Sequence, residues 1–305
     1  MSFKPRFEPS EVTLLRLLNA RMELAEKDKQ RYQRLVKGFE GEVMFDALTE
    51  KLQCRSNILN ELLLESNGSK FQIDSLIMTQ EPLCLFEVKN YEGDFYFKND
   101  RFYMLAKKEK EIKNPLLQLE RCESLLRQLL QNLGVSIPIE AYVVFINPQF
   151  QLYQAPLNKP IIYPNQLPRF MEKFDKRPSQ LNGFHKKLAD QLVSMHQTEL
   201  PYGKLPGYDF ARLKKGMTCA PCGSLQTIVA DRNLVCEVCG HMEEIDHAIL
   251  RSVVELKLLF PDMKITTGVV YEWCGVVGSI KTIRRVLMQN YSAIGKKEYS
   301  FINLK

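Results

Sequence analysis

The spacing of apolar and polar residues divides the first part of the chain into helical and strand-like stretches. Residues 11–37 are rich in helix-forming residues and contain neither Gly nor Pro, so they predict one long helix. Residues 38–52 continue with a second helical run, whose apolar positions recur at helical spacing. Residues 56–104 change to strand-like runs, and Asn67-Gly68 between two of them predicts a β-hairpin.

The middle of the chain adds two helices and one more strand. Residues 115–133 predict a helix that begins at Pro115 and is stopped by Gly134. Residues 139–147 are apolar enough for a buried strand, and residues 182–197 predict a closing helix. Helices thus alternate with a block of three or four strands and a later single strand. This order predicts an α/β core.

The C-terminal third has a different composition. Residues 201–210, PYGKLPGYDF, contain two Pro and two Gly and predict a linker. A helix follows at 244–262, then two shorter helices around a Gly-containing turn, and a terminal hairpin. The predicted organisation is an N-terminal helix (1–37), an α/β domain (38–200), a linker (201–211), a cysteine-rich ribbon (212–243) and a basic helical domain (244–305).

Composition narrows the class of protein. The 305 residues are 45% hydrophobic and 26% charged, which is ordinary for a globular protein in water. There is no run of about 18 apolar residues, the length that a membrane span needs. The first residues are interrupted by charged and polar side chains and lack the apolar core of a signal peptide. We therefore expect a cytoplasmic protein without a membrane segment.

Three charged residues stand near the centre of otherwise apolar strands. Asp74 lies in QIDSLIM, and Glu87 and Lys89 lie in LCLFEVK, where both point to the same side of the strand. If the two strands pair, both carboxylates converge, and two buried carboxylates repel each other unless a cation lies between them. The pattern predicts a site for Mg²⁺ or Mn²⁺, beside which a lysine stabilises charge on a phosphate.

These residues carry a family resemblance. Asp74, followed after twelve residues by Glu87-Val88-Lys89, resembles the D…(D/E)-x-K core of the restriction-endonuclease-like superfamily of nucleases. The segments GFEGE (38–42), QID (72–74) and FEVKNYEG (86–93) are similar to the motifs of its nuclease-related domain, NERD. The resemblance covers about residues 38–150.

The resemblance implies a fold, an activity and further site residues. The fold is a mixed sheet flanked by helices, and the activity is metal-dependent hydrolysis of nucleic acid, with DNA as the first candidate. The family's helical glutamate falls on Glu42, a third acidic group near the metal, and a helper polar residue falls on Gln118. The proline that often precedes the superfamily aspartate is replaced by Ile73, as is common in NERD sequences.

Four of the eight cysteines form a second candidate site. Cys219 and Cys222 are separated by two residues, as are Cys236 and Cys239 thirteen residues later, and each pair is followed by glycine. This spacing is typical of a four-cysteine Zn²⁺ site in a zinc ribbon. Because four thiolates fill the coordination shell, we expect the zinc to be structural. The other four cysteines are scattered among apolar residues and are expected in the core.

The C-terminal tail is basic. Residues 279–305 contain six basic residues and one acidic residue, so they carry a charge of +5. The order of a helix, a turn and a basic helix resembles a helix-turn-helix, and the terminal hairpin would be its wing. The second helix of this helix-turn-helix would place Ile280, Ile283, Val286 and Leu287 in the core. The candidate nucleic-acid contacts are Lys281, Thr282, Arg284 and Arg285 on the helix and Lys296 and Lys297 on the wing.

Two other functions fit the same sequence. One is a non-catalytic DNA-binding or regulatory protein that uses the nuclease fold as a scaffold. In the other, the basic tail binds a protein partner. The long N-terminal helix is also a candidate contact for a homodimer.

Overall fold

The structure, a computed structural model, describes residues 2–105, 110–198, 205–294 and 301–304. Its helices in chain order are α1 (Ser10–Arg21), α2 (Glu26–Thr49), α3 (Pro115–Asn132), α4 (Leu167–Asp175), α5 (Gly183–Ser194), α6 (Ile245–Leu259), α7 (Thr267–Cys274) and α8 (Ile280–Asn290). The strands are β1 (Asn57–Ser66), β2 (Ser69–Met78), β3 (Leu83–Lys89), β4 (Gly93–Lys98), β5 (Arg101–Met104), β6 (Lys110–Ile112), β7 (Ile139–Phe145), β8 (Phe150–Tyr153), β9 (Ile161–Ile162), β10 (Thr227–Ala230), β11 (Asn233–Cys236), β12 (Met242–Glu244), β13 (Tyr291–Ile294) and β14 (Phe301–Leu304).

The chain forms two compact units. Unit 1 comprises Met1–Glu8 and Arg34–Glu199, and unit 2 comprises Pro9–Gln33 and Leu200–Lys305. This division differs from the predicted domains, because the expected helix at 11–37 is two helices separated by residues 22–25. The break has a physical cause: α1 and Leu24 bury their apolar side chains in the core of unit 2, whereas α2 continues into unit 1.

Unit 1 contains a five-stranded mixed sheet in the order β1-β2-β3-β7-β9. β1, β2 and β3 are antiparallel neighbours, while β7 and β9 run parallel to β3. The predicted hairpin is confirmed: Asn67 and Gly68 have φ of 49° and 72° between β1 and β2, as a tight two-residue turn requires. A second sheet has the order β6-β5-β4-β8.

Both faces of the larger sheet are covered. On one face, apolar residues of α3 and α5 pack with the sheet and with β4, β5 and β8. On the other, Phe45 of α2 and Phe174 of α4 pack around Phe86 of β3. α3 begins as predicted, with Pro115 in its first turn, and Asn114 caps it by accepting a hydrogen bond from the amide of Leu116 at 2.9 Å. β3, between β2 and β7, is buried from Leu83 to Val88, as a central strand should be.

Unit 2 has one core shared by α1, the β10-β11-β12 sheet and helices α6 to α8. The sequence predicted a separate ribbon and a separate helical domain, but Leu234 of β11 lies in the same apolar cluster as Trp273 of α7. The predicted linker also differs, since Tyr208 and Phe210 pack on this core. The small ribbon has too few apolar residues for a core of its own, so it shares one with the helices.

Three elements of the tail match their predictions. α7 is capped by Thr266, whose hydroxyl accepts from the amide of Val269 at 3.2 Å. α8 begins after Ser279, and β13 and β14 form the terminal antiparallel pair. Throughout the described ranges, no helix is both long and apolar enough to cross a membrane.

Candidate active site and zinc centre

Asp74 and Glu87 lie where β2 and β3 separate. Their ladder runs from Met78↔Leu83 to Ser75↔Phe86, and Asp74 and Glu87 are the next residues on each strand. The Asp74 carboxylate accepts a hydrogen bond from the backbone amide of Val88 at 2.8 Å, so it fills the opening between the strands. Asp74 is 7% exposed and Glu87 is 1% exposed. Strand geometry therefore places two buried carboxylates side by side.

Lys89 lies on the same side of β3 and contacts both Glu87 and α3. Its ammonium group forms an ion pair with a carboxylate oxygen of Glu87. The amide oxygen of Gln118, in the first turns of α3, is 3.4 Å from the same nitrogen. The structure thus brings Glu87, Lys89 and Gln118 together.

Glu42 reaches this region from α2 because the helix lies close to the chain that follows β3. A Cβ atom on Gly41 would come within 2.5 Å of the Cβ of Asn90, a distance that real side chains do not allow. Asn90 donates to the backbone oxygen of Lys37 at 2.7 Å and accepts from Asn147 at 2.9 Å, which holds the segment in place. The second glycine of GFEGE therefore permits the close approach of α2.

Arg6 joins the site and was not predicted from the sequence. The segment before α1 lies along the edge of β1, where the Asn60 amide donates to the Lys4 carbonyl at 3.0 Å. The guanidinium of Arg6 pairs with Glu42 at 2.5 Å and with Asp46 at 2.9 Å, and donates to the backbone oxygen of Asp74 at 2.7 Å. Its side chain is only 2% exposed. One buried cation therefore ties α2 to β2.

Burial and mutual repulsion shift the pKa values of the acidic groups. Burial, with the nearby Asp74 carboxylate, raises the pKa of Glu87 to about 7 and that of Glu42 to about 8. Burial opposes the charge on Lys89, but the carboxylates of Glu87 and Asp74 outweigh it and raise the pKa of Lys89. Glu61, which faces Asp74 across β1 and β2, is a further partly buried carboxylate with a pKa raised by burial.

The donor set at this site suits a hard divalent cation. Mg²⁺ and Mn²⁺ prefer carboxylate oxygens, and a cation there would relieve the repulsion that raises the pKa values of Glu42 and Glu87. In the structure these two carboxylates are paired with Arg6 and Lys89 instead. Across the described ranges, the four cysteines are the group that gathers three or more metal-ligating side chains.

The cysteine cluster has the geometry of a zinc site. Its four sulfur atoms lie within 4.8 Å of one another, with Cys219–Cys239 at 3.5 Å and Cys222–Cys236 at 3.6 Å. A tetrahedral zinc with Zn–S bonds of about 2.3 Å needs sulfur atoms about 3.8 Å apart. The glycine after each pair has φ near +70°, the left-handed conformation that turns both thiolates to one point. The residues present therefore fit Zn²⁺.

The candidate nucleic-acid-binding residues of the tail differ in their exposure and in their ion pairing. Lys281 and Arg284 are exposed, whereas Thr282 is half-buried and lies one turn before the buried Val286. Arg285 is exposed but paired with Asp246 at 2.7 Å. Lys296 and Lys297 lie outside the described residues.

Ile280 does not occupy the core position expected for it. Its side chain is 48% exposed. The buried Val277, just before the helix, and Ile283, one turn into it, pack in the core at this end, so Ile280 lies outside the core although the same turn contributes to it.

Comparison with known proteins identifies one part of the chain. Residues 37–146 match the family model described as NERD, nuclease-related domain. The match lies within unit 1 and includes all five candidate residues, Glu42, Asp74, Glu87, Lys89 and Gln118. It does not include Arg6 or unit 2. No curated protein and no solved structure matches the chain significantly. Unit 1 therefore contains a region that is similar to nuclease-related domains.

Proposed function

We propose that the protein is a metal-dependent nuclease of the restriction-endonuclease-like superfamily that hydrolyses phosphodiester bonds, with DNA as the first candidate substrate. The observation that carries the proposal is the meeting of Asp74, Glu87 and Lys89 where β2 and β3 separate. The match of residues 37–146 to the nuclease-related domain supports it.

Asp74 and Glu87, with Glu42, are the residues that would hold Mg²⁺ or Mn²⁺. When bound, such an ion lowers the pKa of a water molecule and offsets charge on a phosphate. The backbone amide of Val88 orients Asp74, and Arg6 fixes Glu42 against β2. These contacts hold the carboxylates in place before substrate arrives, which is the basis of electrostatic catalysis.

Lys89 is the residue that faces the reacting phosphate in this proposal. Its pKa is raised by the carboxylates of Glu87 and Asp74, so its ammonium group keeps its charge at neutral pH. A fixed positive charge stabilises the additional negative charge that develops on phosphate oxygens in the transition state. Gln118 positions Lys89 by contact with its ammonium group.

Unit 2 would bind the nucleic acid. The zinc ion would have a structural role and would hold the segment before β10 against the turn between β11 and β12. Helices α7 and α8 would act as a helix-turn-helix, with the exposed Lys281 and Arg284 and the half-buried Thr282 as contacts on α8 and the β13-β14 pair as the wing. Binding that depends on phosphate contacts falls steeply with salt.

A second candidate function is a DNA-binding protein in which unit 1 is a scaffold without catalysis. One observation favours it: Glu42 and Glu87 are already paired with Arg6 and Lys89. A metal would have to compete with these internal cations for the carboxylates.

Nicking of supercoiled DNA separates the two functions. The wild-type protein should nick DNA with Mg²⁺ or Mn²⁺ and fail to do so with a chelator. Lys89→Ala should abolish nicking while circular dichroism and filter binding of DNA stay unchanged, and Lys98→Ala, a lysine at the end of β4, is the control. Binding by all three proteins with cleavage by none would favour the scaffold.

A further inference from the structure

A cavity with three cationic side chains lies in unit 1, at the edge of the larger sheet. Its volume is about 310 Å³, and its walls come from β7, β9, α4 and the loop before β9. Lys159, Arg169 and Lys173 line it together with the aromatic rings of Tyr142 and Phe170, and no acidic residue lines it. Cavities of a few hundred Å³ with few polar groups suit small ligands or single residues of a polymer.

The positive charge of this cavity is not neutralised by the described residues. Arg169 and Lys173 are four residues apart on α4, where like charges repel each other on one face of the helix. None of the three cations forms an ion pair with a carboxylate of the described chain. The two acidic residues of α4 have other partners: Glu172 forms an ion pair with Lys176 at 2.6 Å, and Asp175 accepts a hydrogen bond from the amide of Gln53 at 2.6 Å.

The aromatic rings give the cavity an apolar side next to its cations. Tyr142 and Phe170 are half-buried and meet edge to face, with centroids 5.2 Å apart. The Tyr142 hydroxyl donates to Glu140 at 2.8 Å, which fixes the ring. A ligand with an anionic group beside a flat apolar ring system would contact both the cations and the aromatic rings of the cavity. A nucleotide has this combination, because a phosphate adjoins a base that stacks on aromatic side chains.

The cavity is also connected to the strand of the candidate active site. Tyr142 lies on β7 directly beside Phe86 of β3, and their rings stack with centroids 5.6 Å apart. Phe86 immediately precedes Glu87 on β3, so their side chains lie on opposite faces of the sheet, and the cavity is on the face away from the Glu87 carboxylate. A strand of nucleic acid held in the cavity would therefore contact the same sheet as the carboxylates, but from its other face.

We propose that this cavity binds one nucleotide of a single-stranded segment of the substrate, away from the bond that is cut. Lys159, Arg169 and Lys173 hold its phosphate, and Tyr142 and Phe170 contact its base. The proposal rests on the proposed function only in that the substrate is nucleic acid. It is tested by binding, so it does not depend on cleavage.

The test measures binding of a fluorescein-labelled single-stranded DNA 20-mer to the full chain at two salt concentrations. Arg169→Gln/Lys173→Gln is compared with Lys186→Gln/Lys187→Gln, which removes the same charge from the exposed side of α5. We expect the first variant to lose about tenfold or more in affinity and its salt slope to fall by about 1.4, for two lost contacts with a single strand. The control should stay within about twofold of the wild type. Equal losses in the two variants would overturn the proposal.

A second variant tests the aromatic side without a change of charge. Phe170→Leu should weaken binding of the 20-mer about fivefold or more, with an unchanged salt slope and an unchanged circular dichroism spectrum. Unchanged affinity would contradict the assigned base contact.

Deoxyadenosine monophosphate distinguishes the two sources of a nucleotide. If Arg169→Gln/Lys173→Gln loses this ligand but keeps full affinity for the 20-mer, the cavity binds free nucleotides and the proposal is wrong. If the wild type binds the 20-mer through these residues but never cleaves DNA, this inference stands and the proposed nuclease activity fails.

Discussion

Replacement of Arg6 by methionine should destabilise unit 1 far more than the loss of an ordinary ion pair. The change removes a guanidinium that is 2% exposed and that pairs with Glu42 and Asp46, whose side chains are 18% and 15% exposed. Methionine retains much of the apolar stem, so the main effect is that the Asp46 carboxylate loses its cation and Glu42, whose pKa burial raises to about 8, loses its hydrogen-bond donor. Removing one partner of a buried pair costs about 3–5 kcal/mol.

The matched control is Arg127→Met on α3. Arg127 pairs with Glu123 at 2.5 Å, but the two side chains are 49% and 31% exposed. Exposed pairs contribute about 0–1 kcal/mol, because water screens the charges. The two substitutions therefore remove the same group and differ in its burial and in its number of partners, three for Arg6 and one for Arg127.

Hydrogen exchange followed by mass spectrometry measures the difference within each unit. Peptides from β1 to β3 should exchange on the order of 10²–10³-fold faster in Arg6→Met, since each 1.4 kcal/mol is about tenfold. Peptides from α6 in unit 2 are the internal reference. Adding Asp46→Asn to Arg6→Met should restore part of the protection, because one unpaired charge is removed. Equal protection in Arg6→Met and Arg127→Met would refute the assignment of Arg6 as the cation that holds the site.

Three further results are expected. Gly41→Ala should destabilise unit 1 by about 1–3 kcal/mol in urea unfolding, because its Cβ would lie 2.5 Å from the Cβ of Asn90. Gly38→Ala, with open space around it, should be neutral or stabilising. Equal effects of the two substitutions would contradict the close packing at Gly41. Chelation of zinc should shift the fluorescence emission of Trp273 to longer wavelength, because the ribbon and this tryptophan share one core. An unchanged emission spectrum after zinc loss would contradict the shared core. Arg284→Gln should lower the salt slope of DNA binding by about 1. Arg285→Gln should lower the slope less, because Asp246 already pairs with that side chain. A larger change in slope for Arg285→Gln than for Arg284→Gln would contradict the proposed contact surface.

Local sequence signals predicted the elements whose causes are local. The Asn67-Gly68 hairpin and the start of α3 at Pro115 each depend on residues within a few positions of one another, and each is confirmed. The paired cysteine spacing likewise led to a cluster of four thiols with zinc geometry. These features need no knowledge of the tertiary structure.

Features that depend on distant parts of the chain were missed or predicted differently. Arg6 contacts residues 36 to 68 positions away, and no pattern around it marks a buried cation. The break between α1 and α2 was missed because helix propensity continues across residues 22–25, whereas Leu24 is drawn into the core of unit 2. Ile280 has the spacing of a core residue, but its side chain is 48% exposed, while Val277 before it and Ile283 after it are buried in the core. In each case tertiary packing outweighs the local pattern.

The proposed metal-dependent cleavage site at Asp74 and Glu87 is best examined with the variant Asp74→Ala. The measurement is nicking of supercoiled DNA with Mn²⁺, with filter binding of the same DNA measured in parallel. We expect wild-type protein to nick the DNA, and Asp74→Ala to bind it with unchanged affinity but leave it intact. Nicking that persists in Asp74→Ala, or that continues when the metal is chelated, would show that Asp74 and a bound metal are not needed for cleavage.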